Sequence, residues 1–273
     1  MNATPPMDRR IELKYLLSEP LVQQVTGWAR EHLGIDAHCC DRLVDSYDVH
    51  TLYLDSPNMD LYHRTGVAGS AKHRIRRYGH EPTVWLECKR KKNNVVRKHR
   101  TAVPDEQAFE QLSCRLPNEP ENDRTWCGEW FAKRMADRGL QPAIQVHYRR
   151  FARTATLANE SLRLTIDSQL QASRVEGWHD SLINSRSNNE VRRDAPTVHI
   201  LELKFHNRMP KLFKELLTQF LIPASRFSKY RTAVNTWGLD APRSFSTTGQ
   251  SMSMPLNMQA SNAAEGGEQL ANV

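Results

Sequence analysis

The chain is poor in the residues and signatures that mark the commoner functional classes. It has five cysteines in 273 residues, and none forms a CxxC spacing. Cys39 and Cys40 are adjacent, while Cys88, Cys114 and Cys127 stand alone, so neither a disulfide framework nor a zinc site is indicated. The eleven histidines are scattered without HxxxH or HExxH spacing, which removes the usual zinc-hydrolase arrangement. No serine sits in a GxSxG context, and there is neither a GxxxxGK[ST] loop nor a kinase glycine loop, so serine hydrolases and the common nucleotide folds are not supported. No run approaches the roughly 20 apolar residues of a membrane-spanning helix. The opening MNATPPMDRR lacks the apolar core of a secretory signal. A soluble, cytoplasmic chain with free thiols is the expectation.

Acidic residues are also in deficit, 31 against 38 lysines and arginines, for a formal net charge of +7 and a pI near 9.3. That balance favours an anionic partner: phosphate compounds, nucleic acid or an anionic surface. The excess is uneven, and residues 72–100 hold much of it. In this stretch, AKHRIRRYGHEPTVWLECKRKKNNVVRKHR, a period of two separates an apolar face from a charged one. Arg74 and Arg76 share one strand face, as do Glu87 and Lys89, then Lys98 and Arg100. Gly79–Pro82 and Asn93-Asn94 supply the turns between the three strands.

The same alternation recurs in Ile11-Glu12-Leu13-Lys14, in Leu162–Asp167 and in Ile200–Phe205, and more weakly at Tyr148 and Arg150. For any single strand, a solvated outer face explains the charges. Repetition across the chain, with a Glu followed two residues later by a Lys in three strands, favours a shared internal lumen. Strands are expected at 9–17, 47–55, three within 71–102, then 142–155, 161–172 and 198–206. Helices are expected at 20–33, 123–138 and 210–221, with short helical segments up to Arg64, to about Cys114 and within 225–237. The 123–138 helix carries Trp126, Trp130, Phe131 and Met135 as a core stripe, and the 210–221 helix places Leu212, Leu216 and Phe220 on one side. Residues 35–45 read as a connection and 173–195 as a surface excursion. The fold expected is α+β: a closed antiparallel eight-stranded β-tunnel with flanking helices. It would occupy residues 9–240, between a flexible tail at 1–8 and a disordered one at 241–273.

The basic set on the charged faces is Lys14, Arg74, Arg76, Lys89, Lys98, Arg150 and Lys204. Arginine forks hold phosphate oxygens in pairs, and lysines add compact charges. The acidic set is Glu12, Glu87, Glu202 and Asp167. Carboxylates beside phosphates repel unless a divalent cation lies between them, which is the logic of Mg²⁺ or Mn²⁺ held by one or two carboxylates plus substrate. Such a site could move a phosphoryl group by positioning and charge stabilisation alone.

Eight motifs in order resemble the VTC domain, the polyphosphate polymerase module of the vacuolar transporter chaperone, within the triphosphate tunnel metalloenzyme (CYTH-like) superfamily. They are ELKY at 12–15, YxxxxLYLD at 47–55, RIRRYG at 74–79, LECKRK at 86–91, YRRFA at 148–152, RLTID at 163–167, LELK at 201–204 and FSKYR at 227–231. The resemblance implies a β-tunnel that binds ATP and a growing polyphosphate chain, with Mn²⁺ or Mg²⁺ on Glu202. It implies phosphate contacts from Lys14, Arg74, Arg76, Lys89, Lys98, Arg150, Ser228 and Lys229, and places Tyr148 beside the substrate. Arg97 and Arg100 compete with Lys98 for its alignment, and Lys204, Glu87 and Glu12 join the lining by phase. Hydrolases of the superfamily carry ExExK; here Arg10 stands at the first glutamate, which leans toward polymerisation. Four functions stay open: ATP-dependent polyphosphate polymerase, metal-dependent triphosphatase, non-catalytic polyphosphate sensor, and nucleic-acid binding through Lys89–Arg100. The last is disfavoured because only Trp85 and Tyr78 lie nearby and no recognition helix accompanies the basic cluster.

Overall fold

The computed structural model describes residues 10–239 except 40–43, 67–68, 70, 93–94, 114–125, 158–159, 176, 179–191 and 195–196. The alternating segments form one antiparallel sheet. Its strands are β1 (Arg10–Leu17), β2 (Gly34–Ile35), β3 (Ser46–Asp55), β4 (Ala71–Tyr78), β5 (Thr83–Lys92), β6 (Val95–Pro104), β7 (Gln141–Leu157), β8 (Glu160–Arg174), β9 (Arg192–Asp194) and β10 (His199–His206). The path runs β1-β10-β8-β7-β3-β4-β5-β6, with β2 added on β7 and β9 on β8.

The eight strands of that path are the eight expected from the alternation. Two points of the expectation need correction. Among the described residues the sheet has ten strands rather than eight, because Gly34–Ile35, at the edge of the expected connection, and Arg192–Asp194, within the excursion, each add one too brief to show a pattern. Nor is the sheet closed by backbone pairing, since β1 and β6 end the path without a hydrogen-bonded partner between them. The long strands bend at irregularities. Register shifts occur between Tyr53 and Leu54 on β3 and between His147 and Arg149 on β7, and Gln169 on β8 has φ +54°. Such bulges raise local twist and curl a sheet.

Helices cover the apolar outer face in two groups. α1 (Glu19–His32) and α5 (Lys211–Gln219) lie over Leu13, Tyr15, Leu164, Ile166, Leu201 and Leu203. α1 starts as expected, with Ser18 at its cap and proline in its first turn, where a missing N–H costs nothing. On α5 Phe213 and Leu216 are fully buried, and the expected Leu212 and Phe220 pack partly buried against the same core; Phe213 is the member the expected stripe lacked. α3 (Asp105–Ser113) and α4 (Glu129–Asp137) lie over Leu52, Leu54, Ile75, Val84, Leu86 and Val103.

α4 is shorter than the expected 123–138 helix. Gly128 caps it, and a Cβ there would lie 2.4 Å from the Trp126 ring. Trp126 therefore precedes the helix while still entering the same core. Gly139, at φ +56°, stops the chain in the left-handed conformation glycine tolerates.

α2 (Asp60–His63) and α6 (Lys229–Trp237) pack instead on the inner face, where Tyr230, Ala233 and Val234 meet Val49, Tyr53, Val146 and Tyr148. α6 begins at Ser228, whose Oγ accepts from the Arg231 N–H, and ends at Gly238 with φ +62°. No helix among the described residues is long and apolar enough to cross a membrane. The tails at 1–8 and 241–273 and the turns at Asn93-Asn94 and Asn159 lie outside the described residues.

Candidate functional site

The inner face encloses a cavity of about 880 Å³, lined by β1, β3, β4, β5, β7, β10 and residues 224–231. Its wall carries five lysines and six arginines against two glutamates. Strand register accounts for the convergence. Lys14 faces Glu202 and Glu12 faces Lys204 across β1 and β10, while Arg74 faces Glu87 across β4 and β5. Because side chains on one strand face recur every second residue, each in-phase charge reaches the same lumen.

Glu202 and Asp167 organise the floor. Glu202 Oε1 lies 2.9 Å from Lys14 Nζ and 3.3 Å from Lys229 Nζ, and its Oε2 lies 2.9 Å from Lys204 Nζ. Asp167 accepts two bonds from Arg150, at 2.6 and 2.8 Å, and lies 2.6 Å from Lys229 Nζ. The Tyr148 ring sits between the cations of this group, 5.3 Å from the Arg150 guanidinium carbon and 4.9 Å from Lys229 Nζ.

The opposite wall carries Arg74, Arg76 and Lys89. Arg74 Nε donates to Glu87 at 2.7 Å. Arg76 Nε donates to Thr51 Oγ1 at 3.1 Å and has no carboxylate partner among the described residues. Lys89 Nζ reaches Glu12 Oε2 at 2.8 Å.

Burial and crowding set the charge states. Burial pushes Glu202 up and is overcome by Lys14, Lys204, Lys229 and Arg150, which hold its carboxyl well below the usual range. Asp167 falls to about 2 because Arg150 and Lys229 outweigh its burial. Lys204 is pushed down to about 8 by burial, with Glu202 and Glu12 only partly offsetting it. Lys72 also falls to about 8, first through burial and then through Lys14, Arg74 and Lys89. Cations packed this closely favour an incoming anion, which relieves their mutual repulsion.

Eleven of the thirteen expected site residues line this cavity: Glu12, Lys14, Arg74, Arg76, Lys89, Tyr148, Arg150, Glu202, Lys204, Ser228 and Lys229. Glu87 and Lys98 do not. Glu87 is fully buried and ion-paired to Arg74 and Lys98, and Lys98 is exposed on the outermost strand. Both stand opposite lining residues, Glu87 across from Arg74 and Lys98 across from Lys89; Glu87 is closed off beneath its own ion pairs, and Lys98 sits on the last strand of the path. Lys72 was missed, although it continues the Arg74–Arg76 line at the same period and its Nζ lies 3.3 Å from Ser228 Oγ. Tyr53, Arg64 and Arg231 also line the wall. Arg231 closes the FSKYR motif but was assigned no role there, and nothing local in the sequence marks Arg64.

Glu12 and Glu202 fit a hard divalent cation. Both face the cavity, and their Oε1 atoms approach the same Lys14 ammonium at 3.6 and 2.9 Å. Two carboxylates with substrate oxygens form a normal Mg²⁺ or Mn²⁺ shell. Glu87 stands apart from them, held by Arg74 and Lys98. Among the described residues no group of three or more His, Cys, Asp or Glu could hold a metal ion, so phosphate oxygens would have to complete the shell.

No curated protein matches the sequence. Among solved structures, a candidate adenylate cyclase from Bacillus halodurans is similar at 15% identity, with 81% of this chain and 94% of that chain covered and a TM-score of 0.46. A candidate adenylyl cyclase from Hippeastrum, described as having a dominant triphosphatase activity, matches at 15% identity over 84% and 96% of the two chains, with a TM-score of 0.45. The PH1819 protein of Pyrococcus horikoshii matches at 11% identity over 83% and 98%, with a TM-score of 0.42. The VTC domain matches residues 9–237 of this sequence, and the chain belongs to that family.

Proposed function

We propose that this chain is an ATP-dependent polyphosphate polymerase. The reaction moves the terminal phosphoryl group of ATP onto a growing inorganic polyphosphate chain. A terminal oxygen of the chain attacks the γ-phosphorus, the bond to the β–γ bridging oxygen breaks with its electron pair, and ADP leaves. No proton need be abstracted from a phosphate-oxygen nucleophile, so the residues required are those that position and neutralise charge. The observation that supports this reading is the cavity wall itself, with five lysines and six arginines against two glutamates.

In this reading Lys14, Arg74, Arg76, Lys89, Arg150 and Lys229 neutralise the phosphates of donor and acceptor and hold them in line. Lys204 and Ser228 bind neighbouring oxygens, and Tyr148 orients Arg150 and Lys229 through its ring. Glu202 and Glu12 would hold Mn²⁺ or Mg²⁺, which would supply charge neutralisation to the phosphates. The eight long strands act as a tunnel whose open β1–β6 seam is spanned by side chains. Cytoplasmic placement and the absence of a nucleic-acid partner complete the proposal.

Incubation of the chain with ATP and Mn²⁺, followed by gel analysis of the phosphate products, tests it. Long chains with stoichiometric ADP are expected. Orthophosphate alone would assign a triphosphatase instead, and tight binding of polyphosphate without turnover a sensor.

A further inference from the structure

The rim of the cavity is charged differently from its floor. On the floor and the facing wall nearly every cation is matched: Arg150 and Lys229 to Asp167, Lys14 and Lys204 to Glu202, Lys89 to Glu12 and Arg74 to Glu87. Arg76, bonded to Thr51, is the exception. On the rim, Arg64, Lys72 and Arg231 line the same cavity, and none of the three pairs with a carboxylate among the described residues. Arg64 is exposed, while Lys72 and Arg231 are half-buried.

These three side chains belong to one side of the opening. Arg64 closes α2. The Arg231 guanidinium carbon lies 5.1 Å from the ring centre of Tyr62 on α2. Lys72 Nζ lies 3.3 Å from Ser228 Oγ, the group that also accepts from the Arg231 N–H at 3.5 Å. They also continue an internal row. Arg76, Arg74 and Lys72 follow one another on a single face of β4, about 6.6 Å apart at the strand rise. Arg76 is buried and Lys72 is half-buried, so the row runs outward along that wall to the rim.

Arg64 remains in water, Lys72 and Arg231 are half-buried, and all three, with no carboxylate to give up, gain from an anion laid across them. A triphosphate held on the floor would leave them idle. A longer phosphate chain would not, because it carries charge at every repeat and must leave the floor somewhere. We propose that Arg64, Lys72 and Arg231 form an outer track that holds the emerging part of a polyphosphate chain, so that the protein prefers long chains to triphosphate. This rests on the phosphate-binding reading of the cavity but not on turnover.

Equilibrium binding of long-chain polyphosphate and of tripolyphosphate to the full chain, without ATP, tests it. The double variant Arg64→Gln/Arg231→Gln is compared with the wild type across a salt series. The wild type is expected to bind the long chain about tenfold tighter per binding site, roughly 1.4 kcal/mol. The double variant is expected to lose that preference and to show a shallower salt dependence for the long chain, through fewer released counterions. Its tripolyphosphate affinity should stay within about twofold of wild type, which also shows that the variant is folded. A wild type with equal affinity for both ligands, or a double variant that keeps the preference, overturns the outer track alone. Single-stranded RNA binding as tightly as long polyphosphate assigns the track to nucleic acid and also overturns it. Failure of the wild type to bind tripolyphosphate at all contradicts the phosphate reading of the floor, and this inference with it.

Discussion

Lys89 on β5 and Glu12 on β1 meet at 2.8 Å, although their strands share no hydrogen bond and lie near opposite ends of the sheet path. The ion pair spans the lumen where backbone pairing does not close it. It also occupies a cation and a carboxylate that the proposed reaction needs elsewhere. Glu12→Gln frees Lys89, so tripolyphosphate binding in chelator is expected to tighten by about tenfold, in line with a charge-assisted contact of ~1.5–3 kcal/mol. Turnover with Mn²⁺ should fall, because one of two carboxylates for the cation is gone. Calorimetry in chelator and a turnover assay read the two effects separately.

Asp167 is the buried counter-charge for Arg150 and Lys229. Asp167→Ala leaves Arg150 without its carboxylate and Lys229 with Glu202 alone, and is expected to cost about 3–5 kcal/mol of stability. Lys229→Ala removes one cation from carboxylates that keep others, Arg150 at Asp167 and Lys14 and Lys204 at Glu202, so it should destabilise less. Arg76→Ala removes a cation that has no carboxylate partner among the described residues, so stability should hold or rise while phosphate affinity drops. Urea unfolding of the three variants checks the order; equal losses in all three would contradict it.

Tyr230 on α6 donates its hydroxyl to the buried Asp55, which also accepts from the Ser56, Leu61 and Tyr62 backbone N–H groups. One carboxylate therefore ties β3 and α2 to the helix that carries Lys229. Tyr230→Phe keeps the ring and removes the donor. It is expected to cost about 1–3 kcal/mol and to raise KM for ATP more than it lowers kcat, as denaturation and steady-state kinetics would show.

Lys72, at about 8 against an ordinary 10.5, is depressed by burial and then by Lys14, Arg74 and Lys89. Between those two values the folded chain binds fewer protons than the unfolded chain, so this group's contribution to stability rises with pH across that window. Below about 8 the lysine is charged in both states, and its repulsion is a constant cost. A bound polyphosphate restores the charged form, so binding near pH 8 should take up protons and weaken as pH rises further. Calorimetry in buffers of different ionisation enthalpy measures the uptake, which Lys72→Gln should reduce.

The charged strand faces were legible because alternation is a local signal. Lys14, Glu202, Arg74 and, more weakly, Arg150 could each be placed on a charged strand face from their neighbours, and only the repetition across strands pointed those faces to one lumen. Which in-phase side chains reach the open cavity was not legible: Glu87 stands opposite Arg74 and Lys98 opposite Lys89, yet Glu87 is closed off by its own ion pairs and Lys98 sits on the last strand of the path. Lys72 had the right phase but fell just outside the RIRRYG motif on which the resemblance was anchored. The Asp55–Tyr230 bond joins residues 175 positions apart, and no periodicity connects them. β2 and β9, at two and three residues, are too short for any pattern.

The most direct measurement is a crystal structure of the chain soaked with tripolyphosphate and Mn²⁺. Phosphate density is expected within hydrogen-bond distance of Arg74, Arg76, Arg150 and Lys229, with the cation on Glu202 and Glu12. Density confined to the exposed face of the β5–β6 hairpin, with Arg150 and Lys229 still paired only to Asp167 and Glu202, would contradict the central claim that these cations converge to hold a phosphate chain.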